Sequence, residues 1–471
     1  MSSRPELIDR TACAIVDALR QGEITTLDLL DALEARIAAV DPGVNALPTL
    51  CFDRARDCAR RLMDKPAGER GRLAGMPLPI KDLTEVEGVR TTHGSPIYAD
   101  HIPARSNILV QNIEAEGGVV YGKSAVPEFG AGGNTFNEVF GATLNPWNRS
   151  RSASGSSGGA AVALATGMAW VAHGNDMGGS LRNPASFCGI VGLRPTPGRV
   201  ARDPGTLVDN LLAADGPMAR NVADTGLLLD AMCGENPADP RSLPRLSLSY
   251  REHASQPRMP RRIAFSADLG ITPVDPEVAA ICRAAAEKLA GDGVLVEETH
   301  PDLSEAHEAF QTLRAFHFAA SHAQKLRDFP ELLKPEMVWN VEKGLKLTAA
   351  EHLKAEEQRA EMVARTVAFF DDFDLLLTPA TIVPPFPIEN RYVERCAGHE
   401  FETYIDWLAI AYAITLTTAP ALSMPCGFTA EGLPVGLQVV ARPRAEHDLL
   451  SYAAFIESEL DATITTPIDP R

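Results

Sequence analysis

Between residues 73 and 230, short apolar runs alternate with glycine-rich turns and helical stretches, and this alternation restricts the fold of the chain more than any other feature. Three of the runs have the length and composition of buried strands: 76–80, 119–121 and 170–172. Two stretches between them have the composition of helices: 108–116 and 159–166. Strands that alternate with helices in this way form a parallel or mixed sheet that helices cover on both faces. The sequence therefore predicts an α/β fold.

The flanking segments extend the same pattern. Helical spacing of apolar residues predicts two helices within 7–40, and further helices at 51–63, 275–289, 303–370 and 446–459. Apolar runs predict strands beginning at 262 and at 294–296, 374–379, 419–425 and 433–441, with a surface connection at 236–262. The chain shows neither an internal repeat nor a convincing linker. We therefore expect one large domain over 1–471, with N-terminal helices at 5–65, a core at 73–230 and a variable region at about 303–412.

Charge and cysteine usage narrow the class of partner. The chain has 62 acidic and 44 basic residues and a net charge of −18, whereas phosphate binding needs clustered lysine and arginine. We therefore expect no nucleic acid ligand and no anionic membrane surface. The longest apolar run, 160–171, is shorter than the roughly 20 residues of a membrane span, and no signal peptide is recognisable. The 8 cysteines form no CxxC pair, so we expect no metal centre, no disulfide framework and a cytoplasmic location.

One lysine and two serines in glycine-rich loops suggest acyl-transfer chemistry. Lys81 follows the apolar run 76–80, Ser156 lies in a Gly-Ser-Ser-Gly-Gly block, and Ser180 follows two glycines. A serine hydroxyl becomes a useful nucleophile only when a neighbouring base takes its proton. His173 precedes Ser180 by seven residues, but it lies at the end of a buried strand and is interpreted as a structural or pocket-wall residue. Lys81 is therefore the candidate base.

A lysine can act as a base only when it is neutral. Its ordinary pKa is about 10.4, so a value near 7 requires a shift of roughly 3 units, or about 4 kcal/mol. Burial lowers the pKa by destabilising the ammonium form, and the apolar run before Lys81 could carry it inside. The competing interpretation of a lone lysine after a strand is a surface residue.

The glycine-rich loops also have other uses. Each could be a tight turn, and the block around Ser156 could hold a phosphate at a helix N-terminus. The phosphate interpretation lacks the lysine of the GxxxxGK[ST] motif. Glycines directly before Ser180 would let backbone N–H groups face a substrate, as an oxyanion hole requires.

The order of these motifs, taken together, resembles the amidase signature family. The resemblance runs from Gly75 to Arg199, and Ser156 and Ser180 are 24 residues apart, as in the family. The matching segments are 122–124, 128–129, 145–146, 154–163 and 174–199, with weaker matches at 215–224 and 415–438. The resemblance implies the amidase signature fold, a single large domain whose mixed, twisted sheet is covered by helices.

It also implies a catalytic triad without histidine. Ser180 would be the nucleophile, and Ser156, following a cis peptide bond, would bridge Ser180 and Lys81. Lys81 would be the base that starts the proton relay and later returns the proton to the leaving amine. The backbone N–H groups of Met177, Gly178, Gly179 and Ser180 would form the oxyanion hole.

Other residues match supporting positions of the family. Ser157, Asp176 and Arg182 would hold the loops by hydrogen bonds, and Gly130 and Gly132 would line the acyl pocket. The chain departs from commoner members at two positions. It has Met177 where many of them have Thr, and Asn183 where many have Ile or Val. The first change concerns a backbone donor, so we expect catalysis to be unaffected, whereas both changes could alter the shape of the pocket.

The resemblance implies an amide hydrolase that cleaves a small or medium carboxylic amide, a carbamate, an aryl amide or an ester through an acyl-enzyme. No cofactor and no metal is implied; the partners would be the amide and water, and homodimers are common in the family. The alternative is the amidase-type subunit of a tRNA-dependent amidotransferase, which the divergent 303–405 region disfavours. A catalytically inactive relative is disfavoured because the triad is retained. Substrate specificity is expected to come from 303–345 and 384–412, with these candidate aromatic residues: Phe316, Trp339, Phe386, Tyr404 and Trp407.

Overall fold

The computed structural model of the chain describes residues 4–205, 207–291, 293–460 and 466–471. Its α-helices are α1 (Arg4–Asp9), α2 (Ala12–Gln21), α3 (Thr26–Val40), α4 (Phe52–Met63), α5 (Ile108–Ala115), α6 (Gly158–Ala165), α7 (Arg182–Cys188), α8 (Val222–Met232), α9 (Tyr250–Ala254), α10 (Pro276–Leu289), α11 (Ala306–Asp328), α12 (Pro335–Lys346), α13 (Ala349–Phe369), α14 (Ala409–Leu416) and α15 (Glu446–Glu459). Within these described ranges, no helix combines the length and the apolar character needed to cross a lipid bilayer.

The strands of the described residues form one large sheet and three small ones. They are β1 (Thr49–Leu50), β2 (Pro77–Lys81), β3 (Val119–Ser124), β4 (Phe136–Asn137), β5 (Gly141–Ala142), β6 (Val171–Asp176), β7 (Val191–Arg194), β8 (Ala214–Ala219), β9 (Arg262–Phe265), β10 (Leu295–Glu298), β11 (Leu375–Pro379), β12 (Arg395–Cys396), β13 (His399–Glu400), β14 (Ala421–Phe428) and β15 (Pro434–Val440).

The large sheet is mixed and has eight strands in the order β10-β9-β11-β15-β14-β7-β8-β6. The pairs β10–β9 and β9–β11 are parallel, and the remaining pairs are antiparallel. Every residue of β7, β8, β11 and β15 is buried. Because successive side chains of a strand point to opposite faces, both faces of the sheet are covered. The predicted α/β fold with a mixed, helix-covered sheet is confirmed.

A smaller sheet positions the candidate base. In the order β1-β3-β2, the strand β2 runs parallel to β3, and Lys81 at its end pairs with Ser124. The backbone N–H of Lys81 donates to Nδ1 of His173 on β6 at 3.4 Å, which connects this sheet to the edge strand of the large one. The end of β2 therefore lies beside the end of β6.

The glycines of the block after Ser156 allow close packing. A Cβ on Gly159 would lie 2.3 Å from the backbone nitrogen of Ala125, and one on Gly158 would lie 2.3 Å from the hydroxyl of Thr135. Helix α6 is fully buried along its length, so its first turn has no room to move away. The glycines thus fix the loop before α6 against the end of β3, which holds Ser156 in place.

Most predicted elements are present within one or two residues of their expected bounds. The segment 7–40 was expected to hold two helices, but Thr11 caps the start of α2 and separates it from α1, so three helices reach this segment. The helical segment 303–370 is divided by Pro335 at the start of α12 and by the Thr348 cap of α13. The proposed boundaries of the N-terminal, core and variable regions stay predictions.

Candidate active site

The three residues of the predicted triad come from three different segments. Lys81 ends β2, Ser156 lies in the loop before α6, and Ser180 lies in the loop that joins β6 to α7. Ser156 and Ser180 line one cavity of about 290 Å³, and Lys81 lies behind Ser156 and is fully buried. The peptide bond between Gly155 and Ser156 is cis, as the resemblance implies.

Lys81 Nζ has a complete set of short hydrogen-bond partners. It lies 2.8 Å from Ser156 Oγ, 2.7 Å from Ser157 Oγ and 2.7 Å from Asn175 Oδ1. The Ser157 hydroxyl donates to the Asn175 carbonyl at 3.4 Å, so its oxygen accepts from Lys81, and the amide oxygen of Asn175 can only accept. A neutral amine has two N–H groups and one lone pair. With the two N–H groups directed to Ser157 and Asn175, the lone pair is left for the hydroxyl proton of Ser156.

Burial makes this neutral form accessible. Removal from water lowers the pKa of Lys81 from 10.5 to about 7, although the carboxylates of Asp176 and Asp215 oppose the shift. This buried environment is the one expected from the sequence for a lysine that is neutral near pH 7. The shift arises because the buried ammonium form has lost its hydration and is therefore less stable relative to the neutral amine.

Two residues of β6, Asn175 and His173, contact Lys81. His173 Nδ1 accepts the backbone N–H of Lys81, so Nε2 carries the ring proton and donates to Asp215 Oδ1 at 3.1 Å. Burial lowers the pKa of His173, which keeps the ring neutral. Its interpretation as a structural residue fits these contacts. Asn175 was missed, but strand alternation places it on the same face as His173, and that signal could have identified it.

Ser180 is partly exposed to the cavity. Its backbone carbonyl accepts the N–H of Ser157 at 3.2 Å, which joins the two serine loops. Among the described residues, no hydrogen bond links Ser180 Oγ to Ser156. Catalytic hydrogen bonds are often long in an enzyme without substrate and shorten in the complex, so this link is expected to form on binding.

The loop 177–180 is held by Asp176. The carboxylate accepts the N–H of Gly179 at 2.9 Å and that of Leu181 at 3.1 Å. The N–H of Gly179 is therefore already engaged and does not face a substrate. Within the described part of the chain, the N–H groups of Met177, Gly178 and Ser180 have no acceptor, and these three are the available donors of the predicted oxyanion hole.

Asp176 is itself held by a buried ion pair. Arg182 Nε lies 3.0 Å from Asp176 Oδ2, and Nη2 lies 2.9 Å from Oδ1. Burial would raise the pKa of Asp176, but the guanidinium groups of Arg182 and Arg194 hold it well below its usual range. Arg182 also donates to Gln438 Oε1 at 2.6 Å and to the carbonyl of Ala411 at 2.8 Å. The predicted supporting residues thus connect the serine loop to α14 and β15.

The predicted acyl-pocket glycines and one face of α11 line the same cavity. Gly130 has a φ of +70°, and a Cβ there would lie 3.4 Å from Ser156 Oγ; Gly132 lies nearby. The residues of α11 that line the cavity are spaced by three and four positions, as one helix face requires: Phe310, Arg314, His317, Phe318, Ser321 and His322. The remaining wall includes Leu83, His93, Phe129, Arg202, Asn210, Ala213 and Leu408.

None of the five aromatic residues proposed from the sequence is among those that line the cavity. Phe316 lies on a different face of α11 and packs against His352, with ring centroids 4.3 Å apart. Phe386 and Trp407 pack together in the core. Phe386, Tyr404 and Trp407 thus belong to the buried core, whereas Phe316 is half-buried.

Comparison with known proteins identifies the family of the chain. The family model for amidases matches residues 28–450. An acylamidase from Rhodococcus erythropolis is 34% identical over 460 residues, which cover 95% of each chain. One subunit of the glutamyl-tRNA(Gln) amidotransferase of Moorella thermoacetica is 34% identical over 482 residues, covering 97% of this chain and 98% of that protein.

A solved structure extends the comparison to the fold. A bacterial aryl acylamidase of the amidase signature family superposes with a TM-score of 0.88 at 25% identity, over 98% of this chain and 99% of the other. The family match over most of the length, the curated relatives and the shared fold all agree. The chain belongs to the amidase signature family and is a hydrolase of carbon–nitrogen bonds other than peptide bonds.

Proposed function

We propose that the chain hydrolyses a small or medium carboxylic amide through a covalent acyl-enzyme on Ser180. The observation that carries this proposal is the position of Lys81, fully buried with Nζ 2.8 Å from Ser156 Oγ and a pKa of about 7. Such an amine is a base that can work at neutral pH. Ser156 then serves as the proton relay between Lys81 and Ser180.

In the first half-reaction, neutral Lys81 accepts the hydroxyl proton of Ser156, which accepts the proton of Ser180. Ser180 Oγ forms a bond to the carbonyl carbon, and the carbonyl electron pair moves to oxygen. The N–H groups of Met177, Gly178 and Ser180 stabilise this oxyanion. When the carbon–nitrogen bond breaks, Ser156 protonates the leaving nitrogen and regains its own proton from Lys81.

In the second half-reaction, water takes the place of the amine. Lys81 and Ser156 remove one proton from the water as its oxygen attacks the ester carbon of the acyl-enzyme. The bond to Ser180 Oγ then breaks, and the proton returns to that oxygen. The carboxylic acid leaves and the starting protonation state is restored.

The size and lining of the cavity favour an aryl or medium-sized acyl group. Its volume of about 290 Å³ lies just below the range of ordinary ligand sites, which begins at about 300 Å³. The rings of Phe129, Phe310 and Phe318 contribute to its wall. The similarity to an acylamidase and to an aryl acylamidase also supports amides, and aryl amides among them, as substrates.

The second candidate function is that of a tRNA-dependent amidotransferase component. It is favoured by the similarity, over nearly the whole chain, to one subunit of a glutamyl-tRNA(Gln) amidotransferase. A free-standing hydrolase in the cytoplasm is the better proposal, because an acylamidase is as similar in sequence as that subunit and an aryl acylamidase also shares the fold over nearly the whole chain.

The decisive experiment uses the purified chain without any partner. A panel of aliphatic amides, anilides, carbamates and esters is tested, with Ser180→Ala as the control. We expect turnover of at least one amide and none with the variant. Activity that required a partner chain would favour the amidotransferase function, and undiminished activity of the variant would refute the assignment of Ser180.

A further inference from the structure

Arg314 places a buried positive charge in the wall of the active-site cavity. It belongs to the cavity-lining face of α11, and only 6% of the residue is exposed. Within the described part of the chain, no carboxylate oxygen lies within 4.0 Å of its guanidinium group. The buried cations Arg182 and Lys123 each face an aspartate, at 2.9 and 3.4 Å. Arg359 is similarly buried and forms no ion pair among the described residues, but unlike Arg314 it does not line the cavity. An unpaired buried charge is costly, so Arg314 needs an explanation.

The guanidinium group is held in place by neutral partners. Nη1 donates to Asn340 Oδ1, and Nη2 donates to the hydroxyl of Tyr404 at 2.8 Å. The ring of Phe318 lies 4.2 Å from the guanidinium carbon. Nε has no acceptor among the described residues. These contacts fix the orientation of the group and leave its charge uncompensated.

The acidic residues around Arg314 already have other partners. Glu336 forms two hydrogen bonds with Arg391, at 2.8 and 2.7 Å. Asp406 accepts from the side chains of Gln311 and Thr403. Among the described residues that line the cavity, the acidic one is Asp176, and Arg182 binds its carboxylate. The protein therefore supplies no anion to Arg314, and the cavity is where one could enter.

The neighbours of Arg314 on α11 add hydrogen-bonding groups without negative charge. His317, Ser321 and His322 lie on the same helix face, three, seven and eight positions further along. Nδ1 of His322 is buried and has no partner in the described chain. Burial lowers the pKa of His317 to about 4 and that of His322 to about 3, so both rings are neutral. This wall is suited to an anionic oxygen group.

We propose that Arg314 binds a carboxylate of the substrate, so that the preferred substrates are amides that also carry a carboxylate group. Monoamides of dicarboxylic acids and N-acyl derivatives of amino or aminobenzoic acids have this chemistry. The inference rests on the proposed function, since it names the substrate class of the same site.

Two pairs of substrates of matched shape test the proposal. Succinanilate and butyranilide differ by a carboxylate on the acyl side, and 4-acetamidobenzoate and 4-acetamidotoluene differ by one on the amine side. We expect the protein to prefer the anionic member of at least one pair. Because a hydrogen bond to a charged group contributes about 1.5–3 kcal/mol, Arg314→Met should lower the anionic-to-neutral ratio of kcat/KM by about 10- to 150-fold.

The anionic-to-neutral ratio of kcat/KM distinguishes a loss of carboxylate recognition from a general loss of folded protein. If Arg314 only supports the structure, Arg314→Met lowers kcat/KM for both members in parallel and the ratio stays constant, which would overturn the inference. Arg314→Lys keeps the charge and should retain part of the preference. Arg327→Met is the matched control, since Arg327 is exposed on the same helix, and it should leave the ratio unchanged.

Different experimental results would overturn this inference and the proposed function. Equal hydrolysis of both members by the unaltered protein would overturn carboxylate recognition and leave the amide hydrolase standing. Hydrolysis of no amide in any panel would overturn both.

Discussion

Lowering the pH from 8 to 6 should inactivate the enzyme by protonating Lys81. With a pKa of about 7, about 91% of Lys81 is neutral at pH 8 and about 9% at pH 6. Only the neutral form can take the proton of Ser156, so kcat/KM should fall about tenfold over this interval. The direction follows from the role of the lysine as a base, which is lost when the amine is protonated.

Few other groups that line the cavity change their protonation between pH 6 and pH 8. The ordinary candidates would be its histidines, but burial lowers the pKa of His93 and His322 to about 3 and that of His317 to about 4. Lys123 and Lys334, whose pKa burial lowers to about 8, do not line the cavity. An acid limb near pH 7 would therefore report on Lys81.

Removing the charge of Asp215 tests whether the acid limb belongs to Lys81. Asp215 accepts from His173, whose ring binds the backbone of Lys81, and its carboxylate raises the pKa of that lysine against the effect of burial. Asp215→Asn should therefore move the acid limb to lower pH and increase activity at pH 6 relative to pH 8. Asp371→Asn changes an exposed carboxylate of a surface ion pair and should leave the limb in place.

The assay is kcat/KM for one neutral amide between pH 5 and pH 9 at constant ionic strength. A flat profile between pH 6 and pH 8 would refute the role of Lys81 as the titrating base. A limb that moved to higher pH in Asp215→Asn would refute the electrostatic part of the argument.

Three further substitutions test the supports of the site. Asp176→Asn leaves Arg182 buried beside a neutral amide, so the free energy of unfolding measured in urea should fall by about 3–5 kcal/mol; a loss below about 1 kcal/mol would contradict this. Gly179→Ala places a Cβ 2.4 Å from a side chain of α7 at a φ of +104°, so kcat should fall more than tenfold in steady-state assays, and near-normal kcat would count against the packing argument. Asn175→Ala removes an acceptor 2.7 Å from Lys81 Nζ and should lower kcat/KM by about tenfold; an unchanged value would exclude a positioning role.

Matched controls distinguish local from general effects. Gly22→Ala alters a glycine with a φ of +72° and no neighbouring atom within 4 Å of the added Cβ, so it tests backbone strain away from the site. We expect it to lower stability slightly and to leave kcat unchanged.

The triad could be proposed from the sequence because its chemistry depends on residue types in glycine-rich loops. Lys81, Ser156 and Ser180 were proposed from the order of the motifs together with the family resemblance, and the structure brings Lys81 against Ser156; their catalytic roles stay predictions. Asn175 was within reach of the same reasoning, since it alternates with His173 on β6. The hydrogen bond from the Gly179 N–H to Asp176 could not be predicted from the sequence, because it depends on the path of one loop in three dimensions.

The sequence predicted that 303–345 shapes substrate specificity, and α11 within that segment lines the cavity, but the sequence did not show which face of the helix does so. The helical segment 303–370 presents aromatic and polar residues on several faces, and the packing of α11 against α12 and α14 decides which face meets the cavity. Strands β7 and β8 were missed for a related reason. They contain Gly, Pro, Asp and Ala, which have low strand propensity, and their burial in the sheet outweighs that preference.

The most direct test of the account is the site of covalent modification by a fluorophosphonate probe, located by intact-protein and peptide mass spectrometry. We expect a single adduct on Ser180, none on Ser180→Ala, and much slower labelling of Lys81→Met. An adduct on another residue, or full labelling of Ser180→Ala, would contradict the claim that Ser180 is the nucleophile.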